Sequence, residues 1–238
     1  MSGREMVFIR EALDSNWVAP LGPNVTGFEE DLRRYLDYSA TPQNDRGEPS
    51  GRPEVTRPGP QVVTLASGTA AVHLGLLMCG VGPGDEVIVQ SFTFCATAFP
   101  VAYLGARPVF VDSEKGSWNM DPELLEEAIK DRIAKTGNTP KAIVPVSLFG
   151  MPYQIDRIME VADRYGIPVV EDAAEGLGSR FGGRCLGTFG RFGVLSFNGN
   201  KIITTSGGGA LICRNVEDKS DAQWYASQTR EDYPYYQH

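Results

Sequence analysis

The 238-residue chain has no apolar run long enough to cross a bilayer, so nothing in it calls for a membrane. It has no excess of positive charge either. Its 22 Lys and Arg face 30 Asp and Glu, a net charge of −8, whereas a surface built for nucleic acid wants the opposite sign. That balance leaves room for a local anion site. Cysteine is sparse: Cys79, Cys95, Cys185 and Cys213 stand far apart, with no CxxC and no His–Cys cluster. The usual zinc patterns and a disulfide framework are thereby set aside, no metal is expected, and reduced thiols in the cytoplasm are. Phosphate-loop fingerprints are missing too. No GK[ST] follows any strand, and GLGSRFGG (176–183) has the wrong spacing, and follows the wrong strand, for a dinucleotide site. The opening MSGREMVFIREALDSNW has the pattern of an amphipathic helix, not of a signal peptide.

What is present is ordinary for a globular chain: 42% hydrophobic and 22% charged residues, enough to build one large α/β unit or at most two domains. Residues 3–14 and 26–38 read as helices, the second with an apolar stripe of Phe28, Leu32, Tyr35 and Leu36. The loop between them is followed by a Pro-, Gly- and charge-rich excursion, 39–61, which reads as a flexible insertion. Thereafter strands and helices alternate. Strands are expected at 62–66, 86–90, 108–112, 142–147 and 167–172, and further strands at 193–198 and 209–215. A helix containing Pro100, one opened by Asp121 and Pro122, and one over 154–166 fill the gaps. Continuous apolar strands separated by helices mean a mostly parallel, mixed sheet covered on both faces.

Ligands of such sheets gather where strands end and helices begin. Four strand ends carry chemistry. Ser67-Gly68-Thr69 opens a helix and offers backbone N–H groups and a hydroxyl to a phosphate, although a plain Ser67 cap would explain it equally. In SFTFCATA (91–98), Phe94 could stack on a flat ring and Phe92 fill the core beneath, or both could simply be core. Glu171-Asp172 ends a buried strand, where a carboxylate needs a partner. An ionised acid there could hold a proton on a pyridine-type nitrogen; the plainer alternative is a helix cap on AAEGLG. Finally, SFNGNKIITTSGGGA places Ser196 five residues before Lys201, with glycines 207–209 permitting close backbone approach. A lysine amine, protonated near ~10.4 in water, becomes a nucleophile when desolvated or set beside a cation. Jointly the four parts describe one ligand, pyridoxal 5'-phosphate, which needs a phosphate holder, a ring stacker, an acid for the ring nitrogen and an imine-forming lysine.

These stretches, with NWVAPLGPNVTGFEEDL, LASGTAAVHLGL, VIVQSFTFCATA, GARPVFVD and VEDAAEGLGSRFGGRCLGTFG, resemble the DegT/DnrJ/EryC1/StrS family of pyridoxal-phosphate-dependent nucleotide-sugar aminotransferases of fold type I. The resemblance implies Lys201 as Schiff-base lysine and proton shuttle, and Asp172 as partner of the ring nitrogen. It implies Phe94 on the ring, and Gly68, Thr69 and Ser196 at the phosphate. Glu175 falls where the family often has Gln or His near the ring hydroxyl, and Asn198 falls near substrate or phosphate. The reaction implied is amino transfer, with glutamate as donor, to a UDP-linked 4-keto-6-deoxy-N-acetylhexosamine for bacterial surface glycans. A homodimer with a shared site is implied as well, as is a smaller C-terminal domain that residues 1–238 do not include, so this piece alone should turn over poorly. Against this stand a lyase or dehydratase on the same fold and a non-catalytic dimerisation module.

Overall fold

The computed structural model describes residues 3–38 and 59–229; most of the excursion at 39–61 lies outside these residues, as does the TREDYPYYQH tail from position 230. The first helix, α1 (Glu5–Asp14), is followed by α2 (Pro23–Tyr38), which begins three residues before the expected start because Pro23 is well tolerated in a first turn. Gln61, assigned by the sequence to the excursion, is instead the first residue of β1 (Gln61–Leu65). Then come α3 (Gly68–Met78), β2 (Glu86–Gln90), α4 (Phe99–Tyr103), β3 (Arg107–Val111), α5 (Pro122–Thr136) and β4 (Ala142–Val144). The chain continues through α6 (Ile155–Tyr165), β5 (Val170–Asp172), the two-residue strands β6 (Arg180–Phe181) and β7 (Arg184–Cys185), β8 (Phe192–Ser196), β9 (Gly209–Cys213) and α7 (Val216–Ala226).

One ladder runs β1-β9-β8-β5 and another β3-β2-β4. Single bridges, Ile143 to Val169 and Val146 to Asp172, join them side by side. The mixed α/β sheet expected from the sequence is therefore present, and β9 is the strand that runs against its neighbours. Two strands are shorter than the apolar runs that encode them. Pro145 and Pro168 carry no N–H for a ladder, so the runs 142–147 and 167–172 pair only in part. The helix around Pro100 is likewise reduced to the five residues of α4, preceded by a 3₁₀ turn at Cys95–Thr97.

Period-2 alternation sorts the strand side chains into two cores. Val63, Val87, Val89, Val144, Val194 and Leu211 face α3, while Val62, Ile88, Val111, Ile143, Leu195 and Ile212 face α2, α5 and α6. The α3 helix is apolar nearly all round and lies deepest. At Gly75 a Cβ would stand 3.2 Å from Val170 Cγ1, so the absence of a side chain sets how closely α3 approaches the sheet. Parallel pairing puts the carboxyl ends of β5, β8 and β4 at one edge, with the N-terminus of α3 beside them.

Candidate active site

At that edge the chain's approaches are tight. Ser67 caps α3, its Oγ accepting the Ala70 N–H at 3.1 Å, which leaves the first-turn N–H groups of Gly68 and Thr69 without an intrahelical acceptor. Ser196, buried at the end of β8, stands directly against Gly68: a Cβ on Gly68 would come within 2.9 Å of the Ser196 Cβ. On the other side a Cβ on Gly209 would meet the Ser67 carbonyl carbon at 2.3 Å, so the close approach expected of the glycine run is real. The result is a small cradle of backbone N–H groups, hydroxyls and missing side chains at a positive helix end, a setting suited to an anion.

The two acids that end β5 have separate tasks. Glu171 is fully buried and points to the structural side, where Oε1 accepts Gly187 N–H at 2.7 Å and Oε2 accepts Phe189 N–H at 3.0 Å. Asp172 lies among the site residues. Its Oδ2 accepts the Thr97 hydroxyl at 2.8 Å and its Oδ1 the Ala174 N–H at 3.2 Å. The helix-cap alternative does not hold, because residues 173–179 form turns. Burial pushes the Asp172 carboxyl above the usual aspartate range; Thr97, Ala174 N–H and the Lys201 charge pull it back, and the Glu175 charge adds to the push. Burial raises Glu171 as well, against its three backbone donors and Arg184.

Lys201 projects from the loop after β8, its side chain only 14% exposed, and Nζ lies 3.2 Å from Glu175 Oε1. The neighbour is an anion rather than the cation that sequence reasoning allowed. Glu175 Oε2 also accepts the Phe149 N–H at 2.7 Å, so this one carboxylate joins the lysine loop to the turn Leu148–Gly150, where Phe149 holds a left-handed backbone at φ 53°. Phe94 begins the turn that carries Thr97 onto Asp172, and the residue is 73% exposed. Phe92 does not fill the core: it is half exposed and meets Trp118 in a tilted arrangement at a centroid distance of 5.9 Å. Asn198 is exposed and its amide bonds Asn200 Oδ1, not another candidate.

Three polar residues of this edge went unremarked in the sequence. Thr97 is the direct partner of Asp172. Gln90 and Asn119 are fully buried and bonded to each other at 3.2 Å. Gln90 also bonds Phe92 O and Met120 N–H, and Asn119 bonds Leu148 N–H and Met151 O, so the pair ties together three of the loops around the site. A buried strand ending in Gln is the signal that could have been read, since an amide there needs partners.

The fold is an α/β sheet with one antiparallel strand, and its loops at one edge carry a lysine–glutamate pair, a buried aspartate and a glycine-lined helix start. The chain belongs to the DegT/DnrJ/EryC1/StrS aminotransferase family, whose profile matches residues 59–238. It is 47% identical to EpsN of Bacillus subtilis (strain 168), assigned as a pyridoxal phosphate-dependent aminotransferase, over 100% of this chain and 56% of that protein. It is 37% identical to a GDP-perosamine synthase of Caulobacter vibrioides over 92% of this chain and 51% of that one. Among solved structures, a DegT DnrJ EryC1 StrS aminotransferase from Brucella abortus superimposes with a TM-score of 0.80 at 35% identity, covering 93% of this chain and 54% of the other. The chain thus spans about half the length of the curated relatives it matches. Among the described residues no helix is long and apolar enough to cross a membrane.

Proposed function

We propose that residues 1–238 form the N-terminal, cofactor-binding large domain of a pyridoxal-phosphate-dependent aminotransferase that passes an amino group from an amino acid, glutamate, to a nucleotide-linked keto-sugar. The family and the relatives' names support the reaction class. The observation that carries it to this chain is the spacing of Lys201, Glu175 and Asp172 beside the Gly68–Ser196 cradle. These residues fit the cofactor: the free N–H groups at the start of α3, packed closely on Ser196 through Gly68, suit a phosphate, and a buried acid lies within electrostatic reach of the lysine. When bound, pyridoxal phosphate supplies an aldehyde that condenses with amines and a ring that draws electrons from the neighbouring carbon.

Each residue then has one task. Lys201 would offer its amine to the aldehyde and, once free, would take the proton from Cα of the amino acid and return it to the former aldehyde carbon. Asp172 keeps a proton on the ring nitrogen. Phe94 would cover a ring face, Gly68, Thr69 and Ser196 would bind the phosphate, and Glu175, paired with Lys201, would stand near the ring hydroxyl; Asn198, exposed in the lysine loop, would be a substrate contact. The acceptor we favour is a UDP-linked 4-keto-6-deoxy-N-acetylhexosamine destined for a surface glycan, handled by a cytoplasmic homodimer. Borohydride reduction of the whole protein loaded with cofactor, followed by peptide mass analysis, should place the adduct on Lys201; an unmodified Lys201 would refute the reading. Supplying glutamate with a panel of UDP- and GDP-linked keto-sugars, and following 2-oxoglutarate, should then single out the acceptor.

A further inference from the structure

Behind Asp172 lies a short chain of hydroxyls. Thr97 Oγ1 gives its proton to Asp172 Oδ2 at 2.8 Å, and Thr93 Oγ1 lies 3.0 Å from Thr97 Oγ1. An ionised carboxylate only accepts, and a threonine hydroxyl owns a single proton. With Asp172 ionised, the Thr97 proton is committed to it, and Thr93 is then the donor in the second bond. Thr97 is 1% exposed, so water offers it no substitute partner. The 3₁₀ turn Cys95–Thr97, closed by Thr97 N–H on Phe94 O at 3.1 Å, sets the hydroxyl in place, and the same turn starts at Phe94.

We propose that Thr97, oriented by Thr93, is a positioning residue that fixes the Asp172 carboxylate in its anionic form and in one rotamer before any ligand arrives. The inference rests on the reading of Asp172 as the partner of a ring nitrogen. Of the charged groups that act on Asp172, Lys201 favours the anion and Glu175 opposes it, while burial opposes it most. On that reading an incoming amine would free Lys201 from its place beside Glu175. The hydroxyl chain is not displaced, so it is the part of the support that persists when the lysine is engaged elsewhere. A bond to a charged group is the stronger kind of hydrogen bond, and its removal from a buried acid strands an unpaired oxygen.

The test uses the whole protein freed of cofactor and titrated with pyridoxal phosphate by absorbance, from mildly acidic to mildly alkaline pH. Thr97→Val keeps the shape and removes the donor. It should weaken cofactor binding about tenfold or more and move the acid limb of the binding curve to higher pH. Thr97→Ser should restore both, and Thr93→Val should give a smaller loss in the same direction. Native affinity and an unmoved acid limb in Thr97→Val, with Asp172→Asn weak, would overturn the proposal. Native binding by Asp172→Asn would instead refute the reading of Asp172, and the proposal with it. If Thr97→Val does not fold, Thr93→Val decides: a protein indistinguishable from native overturns the proposal.

Discussion

At the scale of single residues, the site depends as much on what is missing as on what is there. Gly68 faces Ser196 so closely that even a methyl group would force one of them to move. Gly68→Ala should lower stability by about 1–3 kcal/mol in a denaturant melt through overpacking against Ser196, and should weaken binding in a titration with pyridoxal phosphate. This residue was legible: Ser-Gly-Thr at the junction of a strand and a helix reads as an anion site from chemistry alone. Asp172 and Ser196 do end strands, as the apolar runs before them suggested, whereas Phe94 and Lys201 lie in loops four and five residues beyond their strands, where only the company of the other candidates singled them out. Thr97 was not. Its importance comes from a partner 75 residues away, and no local pattern announces which of several threonines will meet a buried acid. Phe92 was misjudged because strand-end aromatics alternate faces only while the strand lasts, and the strand stops at Gln90.

At the scale of elements, local signals fixed helix α5 almost completely. Asp121 Oδ1 accepts the N–H groups of Glu123 and Leu124, Pro122 follows in the first turn, and Gly137 closes the end at φ +73°. Asp121→Ala should lower stability by about 1 kcal/mol in a denaturant melt and leave cofactor titration unchanged. Strand direction was a different matter. The run GALIC reads as a buried strand, yet nothing in five apolar residues says that β9 points against β1 and β8. Direction follows from the connection between β8 and β9, a loop with no crossover helix, and such loops join antiparallel neighbours. The shortened β4 and β5 show the converse, where one proline in each run was visible and its effect on the ladder was underweighted.

At the scale of the whole molecule, two apolar layers seal the sheet and with it three of the four thiols. Cys79, Cys185 and Cys213 are buried, and desolvation pushes Cys79 and Cys213 up to about 12, whereas Cys95 is exposed beside the site. Brief alkylation of the native protein at mildly alkaline pH should therefore add one label, found at Cys95 by mass spectrometry. Rapid labelling of the other three would mean that the layers open far more readily than this packing allows. The α/β class and its layering were plain from alternation of strands and helices; the order of strands in the sheet was not, because it depends on which distant segments meet. That order also constrains how the protein can be made. Among the described residues the strand Gln61–Leu65 finds its ladder only in Gly209–Cys213, which slots between it and Phe192–Ser196. On the ribosome, the earlier strand emerges long before its companion exists and must wait unpaired while everything between them is translated. Until then its apolar edge stays open, and it is Gly209–Cys213 that closes this part of the nascent sheet.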